Sequence, residues 1–82
     1  MTRHPAAMRF ISLGLRIEQL RRDRDWSQAK LGTVASLSTS AISHFETGAR
    51  EPSFRQVVHI ACAFGMTVPE LLDGVDMQEW QS

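Results

Sequence analysis

The sequence predicts an all-α domain of five short helices. Three observations carry that expectation. Apolar residues recur at spacings of three and four, and almost no stretch alternates as a strand does. Ser27, Ser38, Ser53 and Thr67 each head an apolar run, where a helix N-cap belongs. Gly48, Gly65 and Gly74 stand where three of those runs end.

Leu13, Ile17 and Leu20 place one apolar stripe on a first helix, running from about residue 10 to Arg24. Asp25 and Trp26 interrupt it. Ser27 caps a second helix, with Leu31, Val34 and Ala35 facing inward. Ser36-Leu37-Ser38 is a short break, and Ser38 caps a third helix with Ala41, Ile42 and Phe45 inside. Residues 49–52 form a loop. Ser53 and Gln56 have capping-box spacing at the head of a fourth helix, Phe54 to Phe64. That helix is apolar almost all round, which predicts a central position packed on several sides. Thr67 and Glu70 repeat the capping box for a short fifth helix carrying Leu71 and Leu72, with Pro69 in its tolerated first turn.

The chain has 82 residues and 9.2 kDa. At that size folding buries roughly 63% of the unfolded surface, enough for one modest core and too little for a large enzyme cleft. The composition, 43% apolar and 22% charged, is that of a soluble globular chain. No 18-residue apolar run exists, which argues against a membrane partner or span. The start lacks the apolar core of a secretion signal. A lone cysteine, Cys62, gives no disulfide framework, and a packed thiol in a reducing cytoplasm is the expectation.

The net charge of zero hides an asymmetry. All nine basic residues lie at or before Arg55, against five acids there. Residues 56–82 hold Glu70, Asp73, Asp76, Glu79 and no base. Such a split offers one positive face to a polyanion.

Two short helices around a three-residue break, the second rich in small polar residues, have the form of a helix-turn-helix. Further residues sharpen this: Trp26-Ser27-Gln28, Leu31, Leu37-Ser38, Ala41-Ile42-Ser43, Phe45-Glu46-Thr47-Gly48, Pro52-Ser53, Phe64-Gly65 and Glu70-Leu71-Leu72. At this spacing the chain resembles the phage repressor and Cro class, or XRE-like family, over residues 13–74.

The resemblance implies a five-helix lambda-repressor-like DNA-binding domain at residues 9–74, with the helix-turn-helix at helices 2 and 3. An N-terminal arm (1–8) and a tail (75–82) flank it. It implies a transcriptional regulator that binds double-stranded operator DNA as a homodimer, its third helix in the major groove. The groove-reading positions of the family fall on Thr39, Ser40, Ser43 and His44. Its phosphate-touching positions fall on Gln28, Ser38, Thr47 and Arg50. Arg9 and Arg16 are further phosphate candidates. The family pairs an arginine of the first helix with a glutamate at the end of the third, here Arg21 and Glu46. The physics agrees at the head of the third helix, whose free N–H groups and positive dipole end suit an anion.

Two positions depart from the family pattern. Ser36 stands where the left-handed turn usually has Gly, at a cost on the order of 1 kcal/mol. Gly32 stands where Ala is usual, inside a helix, again costing about 1 kcal/mol. The reading face also lacks Gln, Asn and Arg, the side chains of bidentate base pairing. Operator choice is then expected to lean on DNA shape, water and arms.

Other chemistries fail on number or geometry. His59 and Cys62 share a helix face, but two ligands do not make a metal site. Ser43, His44 and Glu46 point in different directions on one helix and cannot converge as a triad. No cofactor motif is present and no enzyme is expected. Surplus apolar residues at the C-terminal end, Met66, Val68, Leu72, Val75 and Trp80, predict a subunit interface. Leu71 is open between core and interface. The expected regulator carries no ligand domain. The alternative is an antitoxin or other interaction module, binding a protein partner through its acidic C-terminal third.

Overall fold

The computed structural model describes residues 12–76, which form five helices. The expected arm, Arg9 and Trp80 lie outside the described residues. Helix α1 spans Leu13–Asp23. It starts at the first residue of its apolar stripe rather than at about residue 10, because Ser12 is the N-cap and its hydroxyl accepts from the Leu15 N–H at 3.2 Å. The chain leaves α1 through Asp25, which has φ of 56°.

Helix α2, Gln28–Ala35, is capped by Ser27 through the Lys30 N–H. It ends on Ser36 in the left-handed conformation, φ 61° and ψ 40°. The turn closes where the Leu37 N–H donates to the Gly32 carbonyl at 2.8 Å. Helix α3, Thr39–Thr47, begins at the Ser38 cap and ends at Gly48, whose φ of 82° favours a residue without Cβ. Helix α4, Phe54–Ala63, and the four-residue α5, Val68–Leu71, each open with a complete capping box. These are the boxes of Ser53 with Gln56 and Thr67 with Glu70.

Ile17, Leu31, Ile42, Phe45, Ile60 and Leu71 are the largest fully buried side chains, contributed by every helix. Gly14 lets α1 cross α3 at backbone contact: a Cβ there would run into the carbonyl oxygens of Phe45 and Glu46. Trp26 and Phe64 stack at 5.8 Å and join the α1–α2 corner to the end of α4. Arg24 lies over Phe64 at 4.6 Å and donates to the Leu20 and Phe64 carbonyls. His59 Nδ1 donates to the Ala35 carbonyl at 3.1 Å, which ties α4 to the end of α2. A carbonyl only accepts, so this contact places a hydrogen on Nδ1.

Several burial expectations need correction. Of the three α2 residues expected inward, Leu31 and Ala35 are buried but Val34 is 41% exposed. Helix α4 is not surrounded. It buries Val57, Ile60 and Ala61, while Phe54 is 75% exposed and Cys62 is open rather than packed. Among the described residues, the four other short helices leave that side uncovered. Val75 is 4% exposed and belongs to the core, not to a free surface. Leu71 is core as well, with Met66, Val68 and Leu72 half-buried against it.

Candidate nucleic-acid interface

Helix α3 divides cleanly. Ala41, Ile42, Phe45 and Glu46 are buried, and Thr39, Ser40, His44 and Thr47 are exposed, with Ser43 half-exposed between them. The exposed set lies on one side of the helix, as the 3.6-residue repeat requires. Its first turn also presents backbone N–H groups that no helical carbonyl reaches. This face offers small donors and acceptors on a rigid rod.

The flanking groups differ in what they have free. Ser38 accepts from the Ala41 N–H at 2.9 Å, which leaves its own hydroxyl hydrogen unspent. Thr47 donates its hydroxyl to the His44 carbonyl at 3.3 Å, so that hydrogen is taken. Arg50 is exposed beyond Gly48, its guanidinium 6.0 Å from the Phe45 ring centroid, and its N–H donates to the His44 carbonyl.

Beneath this face sits a buried charge cluster. Arg21 Nε donates to Glu46 Oε2 at 2.7 Å and Arg21 Nη2 to Oε1 at 3.0 Å. Arg21 Nη1 donates to the Trp26 carbonyl at 2.8 Å. Gln28 Nε2 adds a third bond to the carboxylate, on Oε1 at 2.9 Å. Glu46 lies in the last turn of α3, where the helix dipole disfavours an anion, and these donors offset that. Bonding to Glu46 raises the Arg21 guanidinium above its ordinary value, with burial pulling the other way. The fork joins α1 to α3, and Gln28 brings in α2.

Counting charges by sequence overstated the free positive surface. Arg16 is held by the Leu71 and Glu70 carbonyls at 3.0 and 2.9 Å, at the end of α5. Arg24 is bonded to carbonyls, Arg21 is buried, and Arg22 pairs with Glu18 at 2.8 Å. The Gln28 bond to Glu46 was not legible, because sequence assigned each of these residues a separate task. The role of Arg16 left no sequence signal either, since its partners are backbone atoms more than 50 positions away. Among the described residues no three His, Cys, Asp or Glu side chains are placed to hold a metal, and no helix is long and apolar enough to cross a membrane.

A family model described as a helix-turn-helix domain matches residues 12–73. The chain belongs to the helix-turn-helix family. The family comprises DNA-binding transcriptional regulators and not enzymes. An uncharacterized HTH-type transcriptional regulator of Mycobacterium tuberculosis is 38% identical over 55 residues, covering 67% of this chain and 22% of that protein. The HTH-type transcriptional regulator DdrOP3 of Deinococcus deserti is 31% identical over 61 residues, covering 74% of this chain and 47% of that one. The helix-turn-helix chain thus spans about a fifth of the first relative and about half of the second. Among solved structures, the P22 c2 repressor in complex with a synthetic operator matches at a TM-score of 0.71 and 30% identity, over 78% of this chain and 97% of that one. A chain of the SinR–SinI protein complex matches at 0.68 and 26%, over 84% and 71%. The likeness to phage repressors read from sequence therefore holds at the level of fold and family.

Proposed function

We propose that this helix-turn-helix protein represses or activates transcription by binding operator DNA as a two-fold dimer, with α3 in the major groove. The observation that carries the reading is the exposed polar face of α3, backed by the buried Arg21–Glu46 fork. Thr39, Ser40, Ser43 and His44 are assigned to base edges. Gln28, Ser38, Thr47 and Arg50 are assigned to phosphates. For Thr47 that contact requires its hydroxyl to leave the His44 carbonyl. Support comes from the P22 repressor, a 30% identical protein solved on an operator. The test is selection of bound duplexes from a random pool, repeated with Thr39→Ala, Ser40→Ala and His44→Ala. A true base contact shifts the preferred sequence by about 1–3 kcal/mol. If all three variants select one sequence with one ranking, α3 is not the reader.

A second reading is a module that binds a protein partner, and the open side of α4 favours it: Phe54 and Cys62 are exposed at helical spacing, with Val58 half-buried between them. Copurification of a partner protein lost on Phe54→Ser distinguishes this reading.

A further inference from the structure

Gln28 stands at the first position of α2, half-buried, with its amide nitrogen 2.9 Å from Glu46 Oε1. The orientation of that amide is dictated by chemistry. An ionised carboxylate only accepts hydrogen bonds, so Gln28 must turn its NH2 group, not its carbonyl, toward Glu46. Glu46 is 7% exposed and its carboxylate is gripped from the other side by Arg21, so the acceptor does not move. An NH2 group carries two hydrogens. One is spent on Glu46; the second is fixed by the plane of the amide, and no other bond among the described residues uses it. A glutamine free in solvent loses rotamer freedom when it grips a ligand, whereas one already tethered has lost it beforehand.

We infer that Glu46 is a positioning residue for DNA binding. Through one Nε2 hydrogen it holds the Gln28 amide so that the other is aimed at a phosphate oxygen. This rests on the reading of Gln28 as a phosphate contact. It adds that the contact is preorganised from beneath by the same carboxylate that locks α1 to α3. Glu46 thereby sets the phosphate-touching end of α2 against the reading helix, without touching DNA itself.

The test is a double-mutant cycle on affinity for a mixed-sequence duplex of about 30 base pairs, since phosphate contacts are independent of sequence. Gln28→Ala in the otherwise unchanged protein is expected to weaken binding about tenfold. In a Glu46→Gln background the same substitution is expected to change affinity less than twofold, because the amide is no longer oriented. Equal losses in both backgrounds overturn the inference. Thermal melts establish that each variant folds. If Glu46→Gln does not, Glu46→Asp keeps a charge for Arg21, withdraws the acceptor from Gln28, and is expected to show the same lost coupling. In the unsubstituted protein, the two Gln28 Nε2 hydrogens should give separate NMR signals, with the one not bonded to Glu46 moving on addition of duplex; signals unmoved by duplex overturn the inference. Arg50→Ala separates the two levels. If it flattens the salt dependence while the Gln28–Glu46 cycle is additive, DNA binding by this face stands and only the positioning role fails. If neither Arg50→Ala nor Gln28→Ala changes duplex binding, the interface reading fails and the inference falls with it.

Discussion

Gly32 lies against the carbonyl oxygen of Leu37: a Cβ on residue 32 would come within 2.7 Å of it. The contact belongs to the turn that joins α2 to α3, in which the Gly32 carbonyl also receives the Leu37 N–H at 2.8 Å. By helix propensity alone, alanine at this position gains about 1 kcal/mol. The backbone contact decides otherwise, because a carbonyl oxygen held by its own turn cannot step aside cheaply. Gly32→Ala is expected to lower stability by about 1–3 kcal/mol, the usual range for overpacking. Urea denaturation checks the sign: a more stable alanine variant would mean that the turn adjusts freely.

Ser36 carries the opposite tension, with a Cβ in left-handed backbone. Ser36→Gly removes a strain of roughly 1–2 kcal/mol but adds freedom to the unfolded chain. A net gain of up to about 1 kcal/mol is expected, read as an increase in Tm at unchanged urea m-value. A loss of stability would show that the serine side chain contributes something the turn needs.

Arg21 and Glu46 are both under 10% exposed and joined by two bonds. Arg21→Ala leaves a buried carboxylate with Gln28 as its remaining side-chain donor. Breaking one member of such a pair costs roughly 3–5 kcal/mol, a large share of the stability of a small domain. The bond to Glu46 raises the arginine pKa, so the stability linked to the protonated guanidinium is in force at neutral pH and is lost as pH climbs through the raised value. Chemical denaturation of Arg21→Ala against Arg21→Lys gives the measure, and a loss under about 1 kcal/mol would contradict the buried fork.

The parts of this fold legible in sequence are those written locally. Ser27, Ser38, Ser53 and Thr67 cap helices because an N-cap bonds a backbone N–H three positions on, within reach of short-range pattern. Gly32 showed as an oddity, but its reason lies across the turn in the Leu37 carbonyl. The uncovered side of α4 was missed because hydrophobic composition does not say whether neighbours exist to cover it. Val75 was misplaced because a residue beyond the last helix carries no period to reveal which way it faces. On the site, the exposed face of α3 follows from the 3.6-residue repeat. The Gln28–Glu46 bond depends on how three helices meet, which no single stretch encodes.

Arg50 is the exposed cation on the loop that leaves α3. Each cation that neutralises a phosphate releases condensed counterions and steepens the salt dependence of binding. Arg50→Ala is expected to weaken binding to specific and nonspecific duplexes alike and to reduce the log–log salt slope by about one. Titration of one duplex at several salt concentrations reads both. An unchanged slope removes Arg50 from the contact set.

The proposed two-fold assembly makes the sharpest use of the burial pattern at the C-terminal end. Leu72 and Val68 are half-buried on the edge of the core, whereas Val75, which the sequence places in the same interface, is 4% exposed. Substitution by aspartate should therefore sort them. Val75→Asp places an unpaired charge in the core and is expected to unfold the domain, whatever its oligomeric state. Leu72→Asp leaves most of its charge at the surface and is expected to give a folded monomer with weakened operator affinity. An isologous contact loses the same residue on both sides. A two-fold dimer also sets its α3 helices about 34 Å apart, one turn of DNA, so losing the dimer halves the site that is read. Sedimentation at micromolar concentration, paired with circular dichroism, separates the outcomes. If the unsubstituted protein sediments as a monomer and still binds a single half-site tightly, the dimer is wrong and α3 reads DNA alone. If Leu72→Asp stays dimeric and folded, the two-fold contact lies elsewhere, and Phe54, 75% exposed on the first turn of α4, is the next side chain to substitute.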